Sequence, residues 1–362
     1  MGKGTHKATD ARLGALLDEA SRRGSCLGPR NRNDRAALSR RVEKGLVVSP
    51  YPGVYASPSF WNSLSYKPEQ QERAILLGIA MLHPSWVFCH VSAAIIHGLN
   101  VPYRMHGAIH VANLNGSSSR QSKQVVRHRI RRSQIEWFGG IALTSPLETT
   151  LECLCDSGFR EGLSIADSAA RLLGLSGSEL RDKLSDLGKG TPGIQRALSI
   201  AQCADPLSES GGESIARATI IRYGYVLPRL QIWIPNPLDQ KHPFRADAIW
   251  ILLDGTIIIC EVDGIEKRIN PEMTGGLDLA RVFAKERQRE ALLTAVGAKV
   301  MRVSFSDAWD GQKLCQLLDA YGVPKENSPE GLAMRRESSA MMGGVPAPNG
   351  AVIRNGRLKF ER

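Results

Sequence analysis

The 362-residue chain is strongly basic, with 47 Lys and Arg against 36 Asp and Glu and a formal net charge of +11. A surplus of this size favours polyanionic partners, because each basic side chain that meets a phosphate releases condensed counterions. The length predicts two or three domains. The longest apolar runs, 74–82 and 249–253, are too short to span a bilayer, and the polar start over 1–12 has no apolar signal-peptide core. We therefore expect a cytoplasmic protein without membrane contact, and nucleic acid is the favoured partner.

The cysteines do not indicate a metal site. Seven are scattered along the chain, and no pair recurs at the spacing of zinc ligands. The single Cys153-x-Cys155 pair is too weak a signal on its own. We expect reduced thiols.

Residues 1–66 predict a winged helix-turn-helix. Apolar residues at helical spacing predict one helix over 10–22 and a second that is capped by Asn33 or Asp34 and ends at 43. The segment 46–55 is typical of a short β-hairpin. In this arrangement the second helix would present four basic residues to DNA. These are Arg35, Arg40, Arg41 and Lys44. A small helical cap with a solvated charged face is the alternative.

Residues 67–205 predict a mixed α/β region, with a basic strand over 125–132. Alternation puts Arg127, Arg129 and Arg131 on one face of this strand. That face would meet DNA phosphates, or it would be the charged, solvated edge of a sheet. The two interpretations remain open.

Three polar residues of the middle region, His90, Ser92 and His97, have the types found in catalytic sets. They lie within one apolar stretch that offers no acidic partner. We therefore expect them to serve helix capping and core packing.

Residues 206–324 predict a compact α/β domain that follows a Pro/Ser/Gly-rich boundary. The expected order is helix, strand, hairpin over 244–263, long helix and strand. Gly297 is expected to lie just beyond the long helix. The tail over 325–362 has no usable periodicity and is predicted to be disordered. The fold class is α/β overall, in a multidomain α+β arrangement.

Acidic residues at the end of an apolar strand give the most informative pattern. Glu261 and Asp263 are two residues apart and share a face, and burying them without a partner or a metal would be costly. Asp247 joins them only in one register of the hairpin. A three-residue loop that ends at Gly255 places Asp247 opposite Glu261, whereas a two-residue turn places it opposite Val262. We predict the three-residue loop or an equivalent bulge.

Three carboxylates on one face suit Mg²⁺, which prefers oxygen ligands and activates water for attack on a phosphodiester. Glu213 is a candidate further ligand, although a Glu in the first helical turn also complements the helix dipole. Lys267 would hold the scissile phosphate or orient the water. Three residues of the long helix would line a phosphate track or form a solvated helix face. These are Lys285, Arg287 and Arg289.

Two families show these patterns. Asp247…Glu261-Val-Asp263-Gly264, with the basic run 285–289 and Val300-x-Arg302, resembles the very-short-patch-repair-like branch of the PD-(D/E)xK nuclease superfamily. The N-terminal half resembles AbiEi-type antitoxin regulators through Gly53-Val-Tyr55, His90-x-Ser92-Ala-Ala94 and His97-Gly-Leu99. Together the resemblances cover the chain from Ala11 to about Asp307.

The resemblances imply a DNA-reading module followed by a restriction-endonuclease-like α/β domain. Carried over by position, Glu213, Asp247 and Glu261 would be the metal-site acids and Lys267 the basic residue. This chain departs from the pattern at Asp263, which stands where the motif has Lys, and at Glu266-Lys267, where the repair-type branch often has His.

Three functions therefore remain open. One is an antitoxin-type DNA-binding regulator whose nuclease fold hydrolyses DNA with Mg²⁺. The second is a catalytically inactive repressor or antitoxin whose nuclease fold only binds nucleic acid or a cognate toxin. The third is a protein–protein adaptor whose acidic residues are structural.

Overall fold

The computed structural model describes residues 2–114, 124–130, 135–239, 241–263, 279–334 and 350–360. The chain divides into two units. The first comprises Met1–Ser157 and Ser178–Gln202, and the second comprises Gly158–Gly177 and Cys203–Arg362. Within the described ranges, every helix is too short or too polar to cross a membrane.

The first unit begins with two helices and a hairpin. They are α1 (Gly2–Arg22), α2 (Arg32–Glu43), β1 (Val48–Tyr51) and β2 (Val54–Ala56). The side chain of Asn31 caps α2 by accepting the N–H of Asn33 at 2.8 Å, so the predicted cap at Asn33 or Asp34 is wrong. Asp34 is instead buried and pairs with Arg12. Gly45, at φ +69°, follows the helix as expected.

Residues 58–156 of the first unit form a mixed five-stranded sheet and the helices that accompany it. In chain order the elements are α3 (Pro58–Ser63), α4 (Pro68–Leu82), β3 (Val87–Phe88), α5 (His90–His97), β4 (Ile109–Ala112), β5 (Val125–His128), β6 (Ile135–Phe138), β7 (Ile141–Thr144) and α6 (Pro146–Asp156). The strand order is β5-β4-β3-β7-β6. β4 runs parallel to β5, and β3 runs parallel to β7. Since α5 is buried from His90 to Ile96, it forms part of this unit's core.

Three further helices divide between the units: α7 (Phe159–Leu173), α8 (Gly177–Leu187) and α9 (Ile194–Gln202). Of these, α8 and α9 belong to the first unit and α7 to the second.

The second unit has the element order that the sequence predicts. Its main elements are α10 (Gly211–Arg222), β8 (Arg229–Ile234), β9 (Phe244–Ile251), β10 (Ile257–Asp263), α11 (Leu279–Ala295), β11 (Lys299–Ser304), α12 (Phe305–Trp309) and α13 (Gly311–Tyr321). The sheet order is β11-β10-β9-β8. β8, β9 and β10 are antiparallel neighbours, and β11 runs parallel to β10. Gly297, which has a positive φ of +90°, ends the turn that follows α11.

The sheet of the second unit buries both faces. Trp250, Ile258 and Cys260 pack in one cluster with residues of α10. Ile257 and Ile259 pack in another with Leu293 of α11. Alternate residues of β10 thus serve opposite faces, as the strand period requires.

The predicted disorder of the tail is wrong for both of its described segments, 325–334, which is helical over 329–334, and 350–360. β12 (Ala351–Arg354) and β13 (Arg357–Phe360) form an antiparallel hairpin. Asn355 and Gly356 have φ of +50° and +72°, as a two-residue Asn-Gly turn requires. Ala351 and Leu358 are buried in the core beside α11, which supplies the stabilisation that an isolated hairpin lacks.

Candidate functional site

An acidic concavity lies where β10, β11 and α11 meet in the second unit. It is lined by Asp247, Glu261, Val262, Asp263, Glu286, Arg289, Glu290, Leu293, Val300 and Arg302. Five carboxylates and two guanidinium groups give this lining a formal excess of three negative charges, although the whole chain carries +11. A cation is therefore the ligand that its electrostatics favour.

The register of the β9–β10 hairpin brings Asp247 and Glu261 to this concavity. The paired residues run from Ile251 opposite Ile257 to Ala248 opposite Cys260. The loop is the predicted three-residue one, since Leu252 N–H donates to Thr256 O at 2.8 Å and Gly255 has φ +83°. The register prediction is confirmed.

The carboxylate of Asp247 is fixed at the point where the regular ladder ends. Its Oδ2 accepts the backbone N–H of Val262 at 3.1 Å. Asp247 is half-buried, so it keeps access to the concavity while its orientation is set by the neighbouring strand.

Arginines already contact four of the five acids of this lining, namely Glu261, Asp263, Glu286 and Glu290. Arg289 of α11 lies 2.8 Å from Oε1 of Glu261. Arg302 of β11 binds both oxygens of Asp263, at 2.7 and 3.0 Å, and also contacts Glu286 at 3.1 Å. The bonds to Asp263 raise the pKa of Arg302 above its ordinary value. Asp263 is therefore the acceptor of a bidentate pair.

Glu213 does not line the concavity. It is 5% exposed and forms a reciprocal capping box at the start of α10, with Ser210 Oγ donating to its Oε1 at 2.8 Å. Its Oε2 accepts from Glu209 N and from Gln231 Nε2. Glu213 is thus a capping acid at the start of α10.

Of the remaining predicted residues of this region, the three that the structure describes lie on α11, whereas Lys267 lies outside the described residues. Lys285 and Arg287 are exposed, and Arg289 is half-buried against Glu261. The phosphate track over these three basic residues stays a prediction.

In the N-terminal segment, three of the four predicted DNA-contacting residues are exposed. They are Arg35, Arg40 and Lys44. Arg41 differs, because it pairs with Asp10 of α1 and donates to Ala37 O at 2.6 Å. Its guanidinium holds α2 against α1.

Of the three arginines predicted on the basic strand, the structure describes two, and these differ in exposure. Arg127 is half-buried, with its guanidinium 5.6 Å from the ring centre of Trp86. Arg129 is exposed, and Arg131 lies outside the described residues.

Core packing is confirmed by the burial of His90 and Ser92, which are 7% and 1% exposed, whereas the expected absence of an acidic partner is wrong for His90. Ser92 Oγ accepts the N–H of His110 at 2.8 Å, and His97 Nε2 donates to Thr144 O at 2.8 Å. His90 does have an acidic partner, since its Nε2 lies 3.2 Å from Oδ2 of Asp156. Sixty-six residues separate the two, so the contact leaves no local pattern in the sequence.

The ring of His90 stacks with those of His110 and His128, with centres 5.0 and 4.6 Å away. Burial lowers the pKa of His110 to about 3 and that of His128 to about 4. Both rings are therefore neutral at pH 7. The alternation of β4 and β5 gives each histidine a face, but their meeting depends on the parallel pairing of the two strands, which the sequence does not predict.

Comparisons with known proteins give distant relatives. No family model matches the chain. Over 216 residues, 60% of its length, it is 27% identical to uncharacterized protein MT2308 of Mycobacterium tuberculosis (strain CDC 1551 / Oshkosh), of which 74% is covered. The same values hold for uncharacterized protein Rv2248 of strain ATCC 25618 / H37Rv. Neither name states an activity.

Proposed function

We propose that the protein is a DNA-binding regulator of antitoxin type whose second unit has a nuclease fold and hydrolyses DNA with Mg²⁺. The observation that carries this proposal is the convergence of Asp247 and Glu261 on the acidic concavity. The helix, three antiparallel strands, helix and parallel strand around it support the proposed nuclease fold.

The donor set of the concavity suits Mg²⁺. All of its acidic ligand atoms are carboxylate oxygens, the donors that this hard ion prefers. Asp247 keeps one oxygen beyond its bond to Val262 N–H. We assign Asp247 and Glu261 as the residues that would hold the ion. When bound, Mg²⁺ would supply an activated water and neutralise charge on a phosphodiester.

Neighbouring residues orient the acids of the concavity and complete its lining. Arg289 and Arg302 orient Glu261 and Asp263 through charge-assisted hydrogen bonds. Leu293 and Val300 add apolar groups to the lining of the concavity. Lys285, exposed on α11 one turn before Arg289, is the basic residue that we assign to the DNA backbone.

The first unit supplies DNA binding in this proposal. Arg40 of α2 and Lys44, the C-cap residue of that helix, are exposed and lie four residues apart, about one helical turn. Contacts from these two residues to phosphates would position the protein on a duplex. The similarity of this segment to AbiEi-type antitoxins adds a cognate toxin as a proposed protein partner.

A second candidate is an inactive regulator in which the nuclease fold only binds. The arginine pairs favour it, because Glu261 and Asp263 already have cationic partners and Asp263 replaces the motif's Lys. The two candidates share the DNA-binding unit and differ in turnover.

Cleavage of supercoiled plasmid and of single-stranded DNA with Mg²⁺ distinguishes them. We expect nicked or shortened products from the full chain, and none from Asp247→Asn or Glu261→Gln. Asparagine retains an oxygen for Val262 N–H, so the hairpin is preserved. The matched control is Glu330→Gln, an exposed acid outside the concavity, which should cleave like the unmodified chain.

Salt-dependent DNA binding without cleavage at any Mg²⁺ concentration would establish the inactive regulator instead. Absence of DNA binding at about 50 mM salt, where electrostatic contacts are strong, would overturn both candidates.

A further inference from the structure

Three histidines from three elements meet in the first unit, remote in sequence from the acidic concavity. His90 is the first residue of α5, His110 lies in β4 and His128 ends β5. Each offers a ring nitrogen, and these ligand atoms all lie within 4.8 Å of one another. Nδ1 of His110 and Nε2 of His128 are 2.8 Å apart.

His90 has an unusual backbone conformation, and its ring stacks beside those of the other two histidines. Its φ is +50°, a left-handed value that non-glycine residues adopt rarely. Its backbone N–H donates to Glu152 Oε2 at 2.7 Å. Strain of this kind persists where the surroundings enforce it and is common at ligand sites.

The hydrogen bonds of His90 leave one ring nitrogen for a ligand. Nε2–H donates to Asp156 at 3.2 Å, whereas Nδ1 is buried and has no hydrogen-bond partner among the described residues. A buried polar atom without a partner is unfavourable in a folded protein. A histidine that donates one N–H to a carboxylate and presents its other nitrogen has the arrangement of a metal ligand with its orienting partner.

We propose that His90, His110 and His128 bind a divalent transition-metal ion of the Zn²⁺ class, with His90 ligating through Nδ1 and Asp156 orienting it. Imidazole nitrogen is a preferred donor for such ions, whereas Mg²⁺ prefers oxygen. Three protein ligands leave a position for a fourth donor. The half-buried rings of His110 and His128 leave a route for the ion to enter.

Co²⁺ is the direct probe, because its visible absorption reports coordination number and donor type. The full chain is stripped with a chelator, dialysed and titrated with Co²⁺. We expect one equivalent with the intense absorption of a four-coordinate site. Either His110→Gln or His128→Gln should abolish that absorption, and Asp156→Asn should weaken binding by about 10- to 100-fold.

Two controls make the assignment specific. His242→Gln removes an exposed histidine that pairs with Asp239, and it should titrate like the unmodified chain. Asp247→Asn should also leave Co²⁺ absorption unchanged, which separates this site from the proposed Mg²⁺ site.

Thermal unfolding provides an independent readout. Zn²⁺ should raise the melting temperature of the full chain and leave that of His128→Gln unchanged, because binding to the folded state alone stabilises it. Circular dichroism at 20 °C confirms that each variant is folded, and if His110→Gln is not, His128→Gln decides. Absence of Co²⁺ binding, or equal binding by a folded His128→Gln variant, would overturn the proposal.

Discussion

Asp167 and Arg217 form a buried ion pair that fixes α7 to α10 in the second unit. Their side chains are 0% and 7% exposed, and Nη1 lies 2.7 Å from Oδ2. Asp167 also accepts the N–H of Asp205, and Arg217 donates to Cys203 O. Burial raises the pKa of Asp167, and the charge of Arg217 opposes that effect.

Removing one partner of this ion pair should lower the free energy of unfolding. Arg217→Met leaves the Asp167 carboxylate buried without its countercharge, so we expect the free energy of unfolding to fall by about 3–5 kcal/mol. Urea denaturation followed by tryptophan fluorescence measures the change.

The comparison variant is Lys189→Met, which removes an exposed partner of Asp186 and should cost about 0–1 kcal/mol. Equal, small losses in both variants would show that the buried pair does not stabilise the second unit.

Individual residues differ in how far the sequence predicts them. Asp247 and Glu261 were predictable together, because a three-residue loop ending at Gly255 places them opposite each other. Asp263 as the partner of Arg302 was not, since that pair requires β11 beside β10. The contacts of His90 were not predictable for the same reason, because Asp156 and His128 reach it through the packing of distant elements.

At the scale of elements, the β9–β10 loop determines which acids share the concavity. Gly255 takes a left-handed backbone conformation, and its N–H donates to Leu252 O at 3.0 Å. Asp254 Oδ1 accepts the N–H of Thr256 at 2.8 Å, which closes the turn. The loop thereby sets the alignment of two strands.

Substitution of Gly255 tests the loop. Gly255→Val places a β-branched side chain at φ +83°, so we expect a loss of stability of about 1–2 kcal/mol. Gly255→Asn should cost less, because asparagine tolerates this conformation. Urea denaturation of the two variants measures the difference, and an Asn variant as destabilised as the Val variant would contradict the backbone explanation.

Elements were predicted best where periodicity and turn residues agree. The order from α10 to β11 followed from apolar alternation and from glycines at 255 and 297. The last hairpin was missed even though Asn355-Gly356 is a strong turn signal, because its strands are short and need the core beside α11 to be stable. Local patterns could not supply that contact.

At the scale of the whole molecule, charge is distributed unevenly. The chain carries a net charge of +11, yet the concavity carries a local excess of negative charge.

The assignment of α7 to the second unit was not predictable, because it depends on contacts such as Asp167 with Arg217, fifty residues apart. The predicted boundary near residue 205 therefore does not include this excursion of the chain.

The exposed face of α2 should contribute to DNA affinity in proportion to the phosphates it neutralises. Arg40→Ala and Lys44→Ala should each weaken binding to duplex DNA, and each should reduce the slope of log affinity against log salt by about 1. Fluorescence anisotropy over a salt series measures both quantities.

Lys183→Ala is the matched control, since it removes an exposed lysine from α8 without touching α2. A Lys183 variant that loses as much affinity and slope as the α2 variants would show that binding depends on total charge alone.

Calorimetric titration of Mg²⁺ into the full chain tests the central claim most directly. The account predicts one binding event that is lost in Asp247→Asn and Glu261→Gln, and is retained in Glu330→Gln and in His128→Gln. Retention in His128→Gln would assign the event to the acidic concavity and not to the histidines. No Mg²⁺ binding by the full chain, or binding that persists in both Asp247→Asn and Glu261→Gln, would contradict the proposed metal site.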